Sequence, residues 1–286
     1  MQQTFEYELL NLYSDILQNG DDRADRTGVG TLSVFGRQLK IDLAQGFPIV
    51  TTKKMGFKSI LAELLWFIEG SGDERRLAEI LHGTRDKSKK TIWTANAEAD
   101  YWKSNALYEG DLGRVYGVQW RSWQKPNGSG EIDQLSQIIS QIKTDPTNRR
   151  MILSAWNVGE LHMMALPPCH MMAQFYVSKG KLSCQMYQRS VDSFLGLPYN
   201  ISSYALLVFI LAKITGLQVG ELIMTLGDTH IYKNHIDQVK QQINRSILSL
   251  PTLKIEDIAN LQDLSMNKFS LENYQSHPPI VAEMAV

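Results

Sequence analysis

The segment from Met163 to Ser190 constrains the fold most strongly, because it has the pattern of two apolar strands joined by a tight turn. The stretches AQFYV and KLSCQMYQ are rich in apolar, aromatic and β-branched residues, and SKGK lies between them. A two-residue Lys179-Gly180 loop is typical of a type I′ turn, in which glycine supplies a positive φ. The sequence therefore predicts an antiparallel β-hairpin here.

The predicted register of this hairpin brings a thiol close to a guanidinium group. It sets Cys169 opposite Ser190 and His170 opposite Arg189, unless a β-bulge shifts the pairing. A nearby positive charge favours the thiolate, which is the nucleophilic form of cysteine. The two prolines before Cys169 lack backbone donors, so we expect the chain to leave the sheet there and present the thiol to a cleft. A buried structural cysteine is the alternative, and the spacing alone leaves both interpretations open.

The remaining pattern predicts a single α+β domain over residues 1–286. Apolar spacing predicts helices near 5–17 (closed by Gly20), 58–68 (closed by Gly70), 132–143, after Pro198, and at 233–245. Strands are predicted at LSVFGRQLKIDL (around a turn), RMILSAWNV and ELIMTL, with a loop over 21–31. Residues 73–90 are polar and charged, and we expect a surface loop at their end. The stretch from about Ala78 to Lys90 receives no function from the sequence.

Composition excludes several classes of protein. The net charge of −1 gives no basic excess that would indicate nucleic-acid binding. The N-terminus lacks the pattern of a secretory signal, and the longest apolar run, residues 204–212, is too short to cross a bilayer. The two cysteines make no disulfide framework, and Cys184 has the surroundings of a structural residue. We therefore expect a cytoplasmic protein without a membrane span.

Several polar residues are candidates for chemistry on their own. Glu63 lies in an otherwise apolar helix, where a carboxyl group is costly unless it is used or paired. Asn200 follows a turn, and it suits either a helix N-cap or an amide that recognises a planar amide ligand. Arginines lie at 26, 149–150 and 189, and a guanidinium binds phosphate in a bidentate manner, although most single arginines are solvated surface charges.

Eight blocks of the sequence, taken together, resemble the folate-dependent thymidylate synthase family. In order they are DRTGVGT, GFPIVTTKK, ELLWF, VYGVQWR, NRRMILSAWN, LPPCH, YQRSVDSFLGLPYNISSYA and GDTHIYKNH. They run from residue 25 to residue 235 in the order of that family, and the final EMAV resembles its C-terminal lid. The resemblance implies a mixed β-sheet layered with helices, and a homodimer that packs through the sheet.

The resemblance also implies a reaction. Deoxyuridylate (dUMP) would be reductively methylated to thymidylate (dTMP), with methylenetetrahydrofolate as the donor of both the carbon and the hydride and dihydrofolate as the product. Cys169 matches the nucleophile that adds to uracil carbon 6, and Arg189 the residue that contacts the thiol and the phosphate. Glu63 and Tyr116 match the groups that manage protons through water. Asn200 matches the amide that recognises the uracil edge. No metal is implied.

The family's binding residues are implied at matching positions. The dUMP ligands would be Arg26, Arg149, Arg150, Arg189, Ser190, Asn200, His230 and Tyr232. Arg149 and Arg150 would reach the partner's site across a two-fold axis, so the protein would be a homodimer with composite sites. The folate contacts would be Lys53, Trp93, Asp192, Leu195, Gly196, Tyr199 and the terminal Val286, with Ile92 as a further candidate that is also compatible with plain core packing.

Two other functions fit parts of this pattern. A uracil-specific hydroxymethylase would share the thiol addition and keep Asn200, with water capturing the intermediate in place of hydride. The bulky Trp93 favours the synthase, because an indole there would shield the intermediate from water. A non-catalytic nucleotide or RNA binder would keep the phosphate arginines but lose the chemical groups, whereas Cys169, Glu63 and Asp192 are all present.

Overall fold

The computed structural model describes residues 4–25 and 27–284, so Arg26 and Val286 lie outside the described residues. The α-helices are α1 Phe5–Asn19, α2 Phe57–Glu69, α3 Glu74–His82, α4 Thr94–Ala97, α5 Asp100–Lys103, α6 Gly117–Arg121, α7 Gln134–Thr144, α8 Gly196–Thr215 and α9 Ile236–Ile243. The strands are β1 Asp21–Arg23, β2 Thr31–Asp42, β3 Trp123–Gln124, β4 Glu131–Ile132, β5 Ile152–Ser154, β6 His170–Ser178, β7 Lys181–Asp192, β8 Gln218–Tyr232, β9 Thr252–Ile255 and β10 Phe269–Glu272. Short 3₁₀ turns lie at Leu43–Gln45, Pro126–Gly128, Val158–Met163, Lys233–His235, Leu261–Asp263 and Met266–Lys268.

A six-stranded mixed sheet in the order β1-β2-β8-β7-β6-β5 organises the structure. The β7–β8 pair is parallel and the other pairs are antiparallel. Two small antiparallel pairs, β3–β4 and β9–β10, lie outside this sheet. The expected α+β fold with a mixed sheet is confirmed.

Helix α8 forms the centre of the core. Its residues from Leu206 to Val208 and from Ile210 to Leu211 are fully buried, and it packs against β7, β8, α2 and α7. By length and composition α8 is the one helix among the described residues that could span a membrane, but 78% of that stretch is buried inside the protein. Burial on every side explains its nearly continuous apolar sequence, as expected for a core helix.

Helix α2 packs on α8 and on α3 and ends where the sequence predicted. Gly70 adopts a left-handed conformation, with φ 82°, and its backbone N–H donates to the carbonyl oxygens of Trp66 and Phe67. The helix is buried over most of its length, yet Glu63 retains partial exposure on one side. This exposure leaves the Glu63 carboxyl accessible from outside the core although its helix neighbours are buried.

Several predicted elements differ from the structure. LSVFGRQLKIDL is one continuous strand, β2, rather than strands around a turn, because Gly36 takes a positive φ without breaking the pairing to β8. Residues 21–23 form β1 within the predicted loop, and residues 74–82 form α3 in the stretch that was only recognised as polar. The α3 helix is amphipathic, with Leu77 and Ala78 buried. Most of its residues are polar or charged, so apolar spacing did not predict it.

Candidate active site

The hairpin of β6 and β7 forms as predicted, with one change at its open end. Lys179 and Gly180 both have positive φ, 50° and 71°, as a type I′ turn requires. A β-bulge between His170 and Met172 shifts the register, so His170 pairs with Gln188. The predicted pairing is therefore wrong at the last residues, and the N–H of Arg189 donates instead to the Cys169 carbonyl oxygen at 2.8 Å.

The bulge places Cys169 directly beside Arg189, and the two prolines aim the guanidinium group. Arg189 Nε donates to the carbonyl oxygen of Pro168 and Nη2 to that of Pro167, each at 2.9 Å. The same Nη2 lies 4.0 Å from Cys169 Sγ. The guanidinium also lies over the Trp156 ring, 5.4 Å from its centroid. The prolines thus supply acceptors that hold a positive charge next to the sulfur.

The protonation of Cys169 corrects one expectation. The thiol is partly buried, and this burial raises its pKa, while the charge of Arg189 lowers it by a smaller amount. Arg189 acts in the predicted direction, but desolvation is the larger effect. Burial therefore favours the neutral thiol of Cys169, and the charge of Arg189 opposes this effect in part. Cys184 is fully buried in β7 and its pKa is raised strongly, as suits a structural residue.

Glu63, on α2, is connected to Tyr116 through the ring of Trp93. Its Oε1 accepts a hydrogen bond from the Trp93 indole Nε1 at 2.7 Å. Desolvation raises the pKa of this carboxyl to about 7, and the hydrogen bond from Trp93 partly opposes the rise. A group with a pKa near neutrality exchanges protons readily in both directions, which is what an acid–base catalyst needs.

Tyr116 connects Cys169 to a buried aromatic cluster. Its hydroxyl accepts the backbone N–H of Cys169 at 2.7 Å, and its ring lies 4.1 Å from His170 and 5.0 Å from Phe67 by centroids. The residue has φ 26° and ψ −86°, a strained conformation for a side chain other than glycine, just before α6. Burial raises the pKa of Tyr116 well above its usual value, so it remains a neutral hydroxyl.

Asn200 lies inside α8 rather than at its N-cap. The helix begins at Gly196 with Leu195 as the capping residue, so the N-cap interpretation is wrong. The Oδ1 of Asn200 accepts a hydrogen bond from Gln188 Nε2 at 3.1 Å. Gln188 is buried, and its Oε1 has no hydrogen-bond partner among the described residues. Gln188 thereby fixes the orientation of the Asn200 amide.

His230 and Tyr232 lie two residues apart at the end of β8, as the sequence suggested. His230 is buried, and its Nδ1 lies 3.0 Å from Asp228 Oδ1, which also accepts the Ser33 hydroxyl at 2.7 Å. The two aromatic rings meet edge to face at 5.2 Å. Asp228 therefore orients His230 in the way that an acidic residue commonly orients a functional histidine.

The predicted phosphate ligands are only partly brought together. Ser190 lies on β7 next to Arg189 and is partly exposed. Arg149 and Arg150 are exposed on the loop before edge strand β5, outside the hydrogen-bonded group around Cys169. This position leaves their guanidinium groups at the surface of the protomer.

The predicted folate residues fall into two groups. Asp192, Leu195, Gly196 and Tyr199 are partly exposed at the β7–α8 junction, where Asp192 Oδ1 accepts the backbone N–H groups of Phe194 and Leu195, each at 3.0 Å. Trp93 is buried against Trp66, Phe67 and Tyr116, whereas Ile92 is 56% exposed and is not a core residue.

Lys53, which the family resemblance assigns to the folate tail, is a buried residue. Only 4% of the residue is exposed, and its Nζ donates to the Phe194 carbonyl oxygen at 2.5 Å and lies 3.6 Å from the Phe194 ring centroid. Burial lowers the pKa of Lys53 to about 7, although the charge of Asp192 partly opposes this. Its amino group therefore lies in the protein interior, close enough to Asp192 for the two charges to interact.

Sequence reasoning missed three residues of the site: Gln188, Asp228 and Trp156. Only Gln188 carried a detectable signal, because Leu182, Cys184 and Met186 alternate on the buried face of β7 and Gln188 is the next inward position. A polar residue at an inward position of β7 breaks this apolar series, and the break is visible in the sequence. Asp228 and Trp156 act through neighbours that only the fold brings together.

Contacts through Trp93 and Tyr116 connect a carboxyl of raised pKa to a thiol beside a fixed guanidinium, and Gln188, next to Arg189 in β7, orients an amide. A comparison with known protein families matches the chain to the family described as thymidylate synthase. The match covers residues 7–286, which is nearly the whole chain and includes every residue of the site.

Proposed function

The chain belongs to the thymidylate synthase family, and from this premise we propose that Cys169 performs the reaction by covalent addition to dUMP. As a member of this family the protein is a methyltransferase that methylates dUMP, with methylenetetrahydrofolate as co-substrate. Each step of that reaction requires a chemical group, and the residues around Cys169 offer a candidate for each.

The first step is attack of the Cys169 sulfur on carbon 6 of the uracil ring. The Sγ–C6 bond forms, the C5–C6 π pair moves to carbon 5 and the carbon 4 oxygen, and the thiol proton leaves to water. Arg189, with Nη2 4.0 Å from Sγ, favours the thiolate that attacks. Because burial raises the thiol pKa, we infer that the anion forms only as the electron-poor ring and the arginines converge on it.

Glu63 then serves the uracil carbon 4 oxygen through water. With a pKa of about 7 it is present in both protonation states at neutral pH, so it donates a proton to the developing enolate and later takes one back. Tyr116 remains a neutral hydroxyl next to Cys169 and orders the water that receives the carbon 5 proton.

Methylenetetrahydrofolate supplies the one-carbon unit and the hydride when it is bound. Asp192 suits its pterin ring, because one carboxylate oxygen is held by two backbone N–H groups while the residue keeps partial exposure. We assign the packing surface to Leu195, Gly196, Tyr199 and Trp93. Lys53 would support Asp192 electrostatically from beneath and would reach the folate tail only by leaving its contact with Phe194.

We propose that Asn200 recognises the uracil edge. The hydrogen bond from Gln188 to Oδ1 sets the orientation of the Asn200 amide, and with it the direction of the Nδ2 donor. His230 and Tyr232 would bind the sugar hydroxyl. Phosphate would be bound by Arg189 and Ser190, and by Arg26, which lies outside the described residues. The terminal Val286, also outside the described residues, would help close the lid.

We propose a homodimer in which Arg149 and Arg150 complete the partner's phosphate site, in a cytoplasmic setting. The family generally forms homodimers. The exposed side chains of Ile152, Met172 and Tyr176 share the sheet face opposite the helices, and burial of this face would place the neighbouring arginine loop at the interface.

The observation that carries the proposal is the contact between Arg189 and Cys169 across the bulge. The test is incubation of the protein with dUMP and methylenetetrahydrofolate. Dihydrofolate, detected by its ultraviolet absorbance, together with dTMP supports the synthase. Tetrahydrofolate with a hydroxymethylated nucleotide, or no turnover, would refute it. Cys169→Ser is the matched control, expected to bind dUMP without turnover.

A further inference from the structure

A buried ion pair between two consecutive residues begins α3, away from the group around Cys169. Arg75 Nε donates to Glu74 Oε2 and Arg75 Nη2 donates to Glu74 Oε1, both at 2.6 Å. Glu74 is 1% exposed and Arg75 is 7% exposed. Burying two charges is costly unless both are fully paired, so the fold retains this pair against a substantial desolvation penalty.

The two side chains use their remaining hydrogen-bonding capacity on one loop, residues 83–93 between α3 and α4. Arg75 donates to the carbonyl oxygens of Asp86, at 2.8 Å, and Lys89, at 3.1 Å. Glu74 Oε1 accepts the hydroxyls of Thr91 and Thr94, each at 2.6 Å. The pair therefore fixes the middle of this loop and its junction with α4. This loop includes the end of the stretch to which the sequence assigned no function.

The junction held by Glu74 carries Trp93. The Thr91 hydroxyl oxygen accepts the Trp93 backbone N–H at 3.2 Å, and the Thr91 N–H donates to Thr94 Oγ1 at 2.8 Å. The Trp93 indole then donates to Glu63 at 2.7 Å. A continuous series of contacts thus runs from the buried ion pair through the threonine hydroxyls and Trp93 to the Glu63 carboxyl.

We propose that Glu74 and Arg75 are positioning residues, which hold the Trp93 indole in hydrogen-bonding contact with Glu63. They touch no substrate, and their effect on the reaction passes through Trp93. The part of this inference that concerns turnover depends on the proposed function, whereas the part that concerns the indole position does not. A purely structural ion pair would stabilise the fold without controlling the indole contact.

The first test observes the indole directly and needs no turnover. In protein with ¹⁵N-labelled tryptophan, the Trp93 Nε1–H resonance is assigned by its loss in Trp93→Phe. We expect Glu74→Gln, and separately the double substitution Thr91→Val with Thr94→Val, to shift this resonance and to speed its hydrogen exchange at least about tenfold. The threonine pair removes only two hydroxyls and keeps the ion pair. Glu98→Gln, which breaks an exposed ion pair with Lys90 of the same loop, is the control and should leave the resonance unchanged.

The second test uses the pH profile of turnover. The midpoint near pH 7 is the one assigned to Glu63, because burial raises the pKa of this carboxyl to about 7. Loss of the indole hydrogen bond should move this midpoint to higher pH by about half a unit or more, because that bond favours the charged carboxylate. Trp93→Phe should produce the same shift, and adding Glu74→Gln to it should produce no further shift.

An unchanged indole resonance in both variants, or shifts of the pH midpoint that add in the double variant, would overturn the positioning role. If the wild-type protein shows no turnover, the proposed function fails on its own, and the resonance experiment still decides the indole contact.

Discussion

Replacing Glu63 by glutamine is expected to stabilise the fold at alkaline pH while removing turnover. In the folded protein the pKa of Glu63 is raised from 4.5 to about 7. The unfolded chain therefore loses this proton at lower pH than the folded chain does. Between the two values the folded state binds more protons, so a rise in pH through this window lowers stability, and the loss is complete above the folded pKa.

The size of this loss of stability follows from the difference between the unfolded and folded pKa values of Glu63. Each pKa unit corresponds to about 1.4 kcal/mol, so the rise from 4.5 to about 7 lets the ionised carboxyl lower the free energy of unfolding by about 3.5 kcal/mol well above pH 7. Partial exposure of Glu63 makes this an upper limit, and about 1–3 kcal/mol is the expected range. Glutamine keeps an oxygen that accepts the Trp93 indole hydrogen bond but cannot ionise. The stability gained by the substitution should therefore fall to less than about 1 kcal/mol at about pH 5, close to the unfolded pKa.

Urea unfolding at about pH 5 and about pH 8, at one fixed protein concentration, measures this difference. Glu69→Gln, an exposed carboxylate on the same helix, is the control and should show little pH-dependent gain. An equal change at both pH values, or destabilisation by Glu63→Gln at pH 8, would refute the assignment of a desolvated carboxyl. The expected outcome is a stability gain together with lost activity, since a functional carboxyl is retained at a cost to the fold.

Three further substitutions test individual contacts. Arg189→Gln should raise the Cys169 pKa, so alkylation of Cys169 by iodoacetamide near neutral pH should slow about three- to tenfold. Mass spectrometry of the modified peptide measures this rate, and an unchanged rate would contradict the charge effect. Tyr116→Phe removes the acceptor of the Cys169 N–H and should lower the free energy of unfolding by about 1–3 kcal/mol, measured in urea, with turnover reduced at least about tenfold. Gln188→Met frees the Asn200 amide and should raise the KM for dUMP about tenfold with a smaller effect on kcat, whereas an unchanged KM would show that Asn200 is oriented by other means.

Local sequence pattern predicted the β6–β7 hairpin up to the residues next to Cys169. Strand alternation and the Lys179-Gly180 turn determined the pairing over most of β6 and β7, because both are short-range properties of the chain. The bulge near His170 left no such signal, since it depends on how the chain enters the sheet. The bulge shifts the strand pairing by one residue, so Cys169, rather than His170, lies opposite Arg189.

Burial was the other property that the sequence could not supply. The charge of Arg189 beside a thiol predicted a lowered pKa, but desolvation of Cys169 depends on neighbours from several elements, and it outweighs the charge. The same holds for Lys53, because its place in the sequence does not show that the packing of Phe194 encloses its side chain. The desolvation of Glu63 could be predicted, because its apolar neighbours in the helix already indicated a carboxyl in an apolar setting.

The central claim is that the Cys169 sulfur bonds to carbon 6 of the pyrimidine, and trapping that bond tests it most directly. Incubation with 5-fluorodeoxyuridylate and methylenetetrahydrofolate leaves no proton to remove at carbon 5, so the covalent complex should accumulate. Intact-protein mass spectrometry should then show one added nucleotide and one added folate per chain, located to the Cys169 peptide and absent in Cys169→Ser. An unmodified mass, or an adduct located at Cys184, would contradict the account.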